Sequence, residues 1–251
     1  MTDPGRIRVG IAGWSNPPAS RTDRQPAQSH LAYYAEHFSC VEINSSFHRP
    51  IRAATYARWR EETPAQFRFS VKMPRSITHE GRLRRTAADV SRFYEEIGHL
   101  HPKLAAVLVQ LPPSLEFSSA LVRSFFKAVP RLHRTEVTCE PRHESWFSQA
   151  ADEALRRAEV ARAAANPARC VGADVPGGAV HFAYFRWHGA PQMYYSKYSD
   201  KQLATFAMQV KTASAKEAWC MFDNTARHAA WDNALQFISL IRTEKARVKA
   251  K

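Results

Sequence analysis

Short apolar runs recur along the chain, and six of them end in charged or amide side chains. They are Val41-Glu42-Ile43-Asn44, Phe69-Ser70-Val71-Lys72, Val107-Leu108-Val109-Gln110, Val137 through Arg142, Tyr184 through Gly189, and Cys220 through Asn224. An apolar run of this kind, bounded by turn signals, reads as a buried strand. Longer stretches with helical spacing lie between the runs, and the alternation predicts βαβ units feeding a parallel sheet. Polar groups gathered at the C-terminal ends of several buried strands are where α/β barrels place their chemistry. The pattern predicts an α/β fold, a single TIM-like (β/α) barrel spanning residues 1–251 as one domain.

The predicted strands are Ile7 to Gly13, Val41 to Ser45, Phe67 to Met73, Ala105 to Leu111, Glu136 to Glu140, Arg169 to Asp174, Val180 to His188, and Ala218 to Asp223. The first helix is expected from an N-cap at Ser29 to Phe38. The next carries Tyr56 and Trp59 and stops at Thr63-Pro64. Further helices are expected over Ala87–Leu100, Ser119–Val129, Ser148–Ala164, Asp200–Ala213 and Ala229–Ile241. Only Val175 through Ala179 separates the sixth and seventh runs, too little for a parallel crossover. The barrel is therefore expected to be irregular between strands six and seven. The long loop from Ser15 to Gln28 is a candidate lid or binding loop.

Composition changes the picture in two ways. The net charge is +13, and a basic surface concentrates anions, nucleic acid included. Part of the excess sits in a basic C-terminal tail, Arg242 to Lys251, and part in the stretch containing Arg75, Arg82, Arg84, Arg85 and Arg92. The four cysteines, Cys40, Cys139, Cys170 and Cys220, lie far apart without metal or redox spacing, and read as small buried thiols. No apolar run is long enough to span a membrane, and Met1 to Arg6 lacks the apolar core of a signal peptide. The expected location is cytoplasmic, with no membrane partner.

Side chains two apart on a strand share a face. Glu42 therefore faces with Asn44, Arg186 with His188, and Thr138 with Glu140. Charges inside apolar strands are costly unless paired or solvated, and a barrel mouth supplies both conditions; ion pairs tying the barrel together would account for them equally. The densest stretch is Glu140-Pro141-Arg142-His143-Glu144-Ser145-Trp146-Phe147, which offers a carboxylate, a guanidinium, an imidazole and an indole. Ile77-Thr78-His79 begins a second mixed loop. Glu42, Glu140, Asp174, His188 and Asp223 are of metal-ligand type, but Lys72, Arg142 and Arg186 are expected at the same end and oppose a cation. The sequence assigns no metal and no cofactor.

Val41 through Phe47, Phe69 through Lys72, Ile77-Thr78-His79, Gln110-Leu111-Pro112-Pro113, Glu140 through Trp146, Arg186 through Gly189, Phe222 through Thr225 and Asn233-Ala234-Leu235 together resemble the YecE-like proteins, domain-of-unknown-function family 72. The resemblance runs from Gly13-Trp14 to Leu235 and implies a TIM-like barrel with a polar cleft built from these residues. It supplies no reaction. Asn16-Pro17-Pro18 departs from the aromatic-Pro expected after Trp14.

The functional expectation is an enzyme, in the hydrolase or phosphoester-cleaving class, acting on an anionic, phosphate-containing substrate at the C-terminal mouth. Lys72, Arg142 and Arg186 would hold the anion. Glu140, Glu42 and His188 would exchange protons. Asn44, Gln110, Asp223 and Asn224 would orient the ligand, with His79, His143 and Trp146 around it. The alternatives are a nucleic-acid-binding protein without catalysis, using the arginine-rich stretch, and a non-catalytic small-ligand binder.

Overall fold

The computed structural model describes residues 6–15, 28–130, 132 and 135–249. The candidate loop after the first strand, with its Asn16-Pro17-Pro18 departure, lies outside the described residues apart from its ends, as does the last part of the basic tail.

Strands β1 (Arg6–Ala12), β2 (Cys40–Ile43), β3 (Arg68–Lys72), β4 (Leu104–Gln110) and β5 (Glu136–Glu140) pair in parallel in chain order. They are followed by β6 (Ala161–Arg162), β7 (Ala164–Asn166), a two-residue β8 (Gly177–Gly178), β9 (Phe182–Trp187) and β10 (Glu217–Phe222). The order β7-β9-β10-β1-β2-β3-β4-β5-β6-β8 begins and ends in one stretch of chain, because only Ala163 separates β6 from β7. Ala161 and Arg162 pair with β5, whereas Ala164 through Asn166 pair with β9. The sheet thus closes on itself as a TIM-like barrel, with β8 added antiparallel to β6.

The expected irregularity is real, but its cause differs from the expectation. The sixth strand is Ala161 through Asn166, and the helix expected to run to Ala164 ends at Arg157. Arg169 to Asp174, expected as strand six, forms turns instead. Asp174 therefore does not sit at a strand end. Residues 167–181 make the sixth crossover, and they hold no helix.

Helices α1 (His30–His37), α2 (Ser45–His48), α3 (Ala53–Glu61), α4 (Ala87–Gly98), α5 (Ser119–Ala128), α6 (Gln149–Arg157), α7 (Asp200–Thr212) and α8 (Ala229–Lys249) surround the barrel. Ser29 caps α1 by accepting from Ala32 N–H, and Ser199 with Gln202 forms a reciprocal capping box on α7. The outward faces of the strands, Val41, Phe69, Val107, Phe185 and Phe222 among them, pack against helix residues such as Tyr34, Phe93, Phe125, Phe206 and Phe237.

The barrel interior is a second, smaller cluster of Cys40, Ala106, Ala161, Ala163, Phe182, Tyr184, Trp219 and Met221. Small residues on one side make room for large ones on the other. Tyr184 and Trp219 stack at 6.0 Å. At Gly10 any Cβ would lie 2.3 Å from the Cys40 carbonyl oxygen, so only glycine fits there. Cys40, Cys139 and Cys220 are buried free thiols, and Cys170 is half-buried. Among the described residues no helix is long and apolar enough to cross a membrane.

Candidate functional site

The C-terminal strand ends converge on one buried charge network with Arg186 at its centre. Its Nε donates to Glu42 Oε2 at 3.0 Å and Nη2 donates to Glu42 Oε1 at 2.6 Å. Nη1 donates to Glu140 Oε2 at 2.7 Å, and Nη2 also reaches Asp223 Oδ2 at 3.0 Å. Strands β2, β5, β9 and the end of β10 are thereby tied across the barrel through one guanidinium. Arg186 is completely buried. Tyr184, one alternation below Arg186, donates to Glu42 Oε2 at 2.8 Å, so both oxygens of the buried Glu42 are engaged from the barrel side.

Glu140 is shared further. Arg142 Nη2 lies 2.6 Å from Glu140 Oε1, and Gln110 Nε2 donates to Glu140 Oε2 at 2.9 Å. Burial alone would raise the Glu140 carboxyl, but Arg186, Arg142 and His188 together hold it well below the usual range. Asp223 is depressed in the same way, against burial, by Arg186, His188 and Lys72. His188 is fully buried, with Nδ1 at 2.9 Å from Asp223 Oδ2. Its Nε2 lies 3.1 Å from Glu140 Oε1 and 3.2 Å from Arg142 Nη2, so the imidazole bridges the Asp223 and Glu140 carboxylates beside the Arg142 guanidinium. Tyr194 covers the imidazole edge-on at 5.8 Å. Gly189, at φ +92°, turns the chain directly after His188; a Cβ there would lie 2.9 Å from the Ser196 carbonyl oxygen.

Lys72 is placed differently. Its Nζ lies 4.0 Å from the centre of the Phe47 ring, and no described carboxylate stands within ion-pair distance of it. Ser46 donates to the Lys72 carbonyl at 2.6 Å, which fixes α2 on the end of β3 and sets Phe47 over the ammonium. Burial, and then Arg186, pull Lys72 down to about 8, against the attraction of Glu140, Glu42 and Asp223. His79 packs edge-on against Phe47 at 5.0 Å and bonds Thr78 Oγ1 through Nδ1 at 2.9 Å. Burial, then Lys72, Arg75 and Arg142, lower its proton affinity.

The remaining sequence candidates stand apart from the network. Asn44 lines a cleft with Gly13, Trp14, Ser15, His30 and Ser45, and its buried Oδ1 lacks a partner among the described residues. Asn224 Nδ2 is committed to the Ser196 carbonyl and to Asn233 Oδ1, holding the β9–α7 connection to α8. His143 caps the short 3-10 turn Glu144–Phe147, accepting from Ser145 N–H at 3.3 Å. Trp146 is fully buried, and its indole N–H donates to the Leu115 carbonyl at 2.8 Å; it joins two loops and offers no surface to a ligand. Arg186, expected to hold an anion, has four N–H···O contacts to carboxylates out of a guanidinium's five donors, so it is the keystone below the mouth.

Phe47 and Tyr194 were not assigned by sequence reasoning, and nothing in the chain's periodicity would have found them. Tyr184 was findable, since it alternates with Arg186 and His188 on the inward face. Among the described residues no group of three or more His, Cys, Asp or Glu is arranged to hold a metal ion. Both oxygens of Glu42 and Glu140, and Oδ2 of Asp223, are engaged by Arg186, Arg142, Tyr184, Gln110 and His188.

A closed parallel barrel with its charged side chains gathered at the C-terminal strand ends defines a TIM-like barrel protein with the site where such barrels carry their chemistry. The chain belongs to the family described as "Protein of unknown function DUF72", whose profile matches residues 8–251. UPF0759 protein YecE of Escherichia coli strain K12 is 34% identical over 106 residues, which are 42% of this chain and 38% of YecE; the match spans about two fifths of that relative's length. A DUF72 family protein from Thermotoga maritima MSB8 superposes with a TM-score of 0.80 at 26% identity, covering 94% of this chain and 99% of that one. One from Enterococcus faecalis V583 gives 0.81 at 21% identity, covering 94% and 95%, a likeness of fold.

Proposed function

We propose that the protein is an enzyme that binds an oxyanionic substrate, a carboxylate or phosphate ester, at the C-terminal mouth of the barrel. The observation that carries this reading is a set of donors without acceptors. Arg142 Nε is buried and unpartnered among the described residues, and Lys72 Nζ faces an aromatic ring in place of a carboxylate. A buried donor left unpaired costs about 1–3 kcal/mol, and an oxyanion would remove that cost. Guanidinium and ammonium groups are the side chains suited to bind such a ligand.

The proton-exchanging roles move accordingly. Glu42 is sealed under Arg186 and Tyr184, and Glu140 is held ionised, so neither is fitted to exchange a proton with substrate. His188 is held between Asp223 and Glu140, beside Arg142. Lys72, at about 8, is matched to acid–base work near neutral pH.

Titration calorimetry with inorganic phosphate and with acetate tests the reading. Arg142→Lys keeps a cation for Glu140 but deletes Nε, and should weaken anion binding by about ten- to a hundredfold, since charged hydrogen bonds are worth about 1.5–3 kcal/mol. Equal affinity of wild type and R142K, or no binding by the wild type, would contradict it.

A further inference from the structure

Among the described residues two lysines are buried, Lys72 and Lys103, and their surroundings differ. Lys103 Nζ donates to the Arg60 and Thr63 carbonyls and to Thr63 Oγ1, a set of acceptors that fixes it as a structural cation. Lys72 Nζ has no such cage among the described residues; it rests on the face of Phe47 at 4.0 Å. It sits at the C-terminal end of β3 inside the barrel mouth, where (β/α) barrels place reacting groups. Lysines in these surroundings, desolvated and near another cation, are the ones that act as amine nucleophiles.

We infer that Lys72 forms an imine with a small aldehyde or ketone that also carries a carboxylate or phosphate group. The inference rests on the proposed anion site, because Arg142 would anchor the ligand's charge while Lys72 meets its carbonyl. The unprotonated Nζ adds its lone pair to the carbonyl carbon, forming the C–N bond. A proton passes from nitrogen to oxygen, and the carbinolamine expels water to leave the C=N bond. Hydrolysis reverses each step, so no oxidant or reductant enters. Solvent at the barrel mouth supplies and takes up the proton for loss of water. The amine is available near neutral pH because Lys72 titrates at about 8 under burial and Arg186, with Glu140, Glu42 and Asp223 opposing and with His79 coupled to it.

The experiment incubates the full chain with pyruvate or glyceraldehyde 3-phosphate in sodium cyanoborohydride and maps the reduced adducts by peptide mass spectrometry. Phosphate calorimetry runs in parallel. The expected result is an adduct on Lys72 of the wild type that rises between pH 6 and 8, falls several-fold in excess inorganic phosphate, and is several-fold weaker with acetone, which has no anionic group. K72R should lose that adduct. Adducts only on exposed lysines such as Lys197, Lys201 and Lys216 would overturn the inference. Phosphate binding without a Lys72 adduct overturns the imine alone; absence of both overturns the anion site as well.

Discussion

At the scale of single residues, the fold's most exposed liability is Arg186. Three carboxylates surround it, and removing one partner of a buried ionic cluster strands the others. Arg186→Met should destabilise the protein by about 3–5 kcal/mol, measured by urea unfolding. The depressed carboxyls of Glu140 and Asp223 contribute stability that is complete above their unfolded values, near 4, and is lost as pH falls toward their lower folded values. Acid unfolding of the wild type should therefore steepen below about pH 4, and Glu140→Gln should flatten it. Lys72 has the opposite sign. Its folded value of about 8 lies below an ordinary lysine's, so the charged form is penalised below pH 8 and the penalty fades as pH rises toward about 10.4. Lys72→Met should raise the thermal midpoint at pH 7, with the gain shrinking by pH 10. The sequence revealed Glu42, Glu140, Arg186, His188 and Asp223 as one group, because period-two alternation and strand-end placement are written in the chain. It did not reveal which of them would be sealed. Burial and pairing depend on strands far apart in sequence, as Tyr184 reaching Glu42 illustrates.

At the scale of elements, the sixth strand is where pattern reading failed. Ala161-Arg162-Ala163-Ala164-Ala165-Asn166 is rich in alanine, the best helix former, and so extends the helical pattern of α6. The barrel overrides that preference: beside Tyr184 and Trp219 the interior accepts only small side chains, and Ala161 and Ala163 lie in that cluster. Ala163→Leu should overpack the interior and cost about 1–3 kcal/mol in chemical denaturation. The loop after the π-helical turn Ser76–Glu80 carries a different strain. Arg82, Leu83 and Arg85 have left-handed φ values of 47°, 62° and 54°. Leu83 is buried and Arg82 grips Ser114 through its hydroxyl and carbonyl, so those two hold the loop in shape. Arg85 is exposed, and Arg85→Gly should be neutral or stabilising by up to about 1 kcal/mol, because an L residue in this region costs about 1–2 kcal/mol.

At the scale of the whole molecule, the charge of +13 is distributed over paired and unpaired groups. Arg75 pairs with Glu80 and Arg92 with Asp89, which leaves Arg84 and Arg85 as exposed members of the basic stretch with no ion pair among the described residues. If that surface attracts polyanions, oligonucleotide affinity will fall log-linearly with salt; an anion held by Lys72 and Arg142 inside the mouth will be far less sensitive, because buried charges are weakly screened. The barrel itself was legible because βα alternation runs along the whole chain and survives one misplaced strand and one crossover without a helix. The most direct test of the mouth as an oxyanion site is anomalous diffraction from crystals of the wild-type protein soaked in selenate. The account predicts a selenium peak within roughly 4 Å of both Lys72 Nζ and Arg142 Nε, given N–H···O bonds near 3 Å. Peaks confined to Arg84, Arg85 or other surface groups, with the mouth empty, would contradict it.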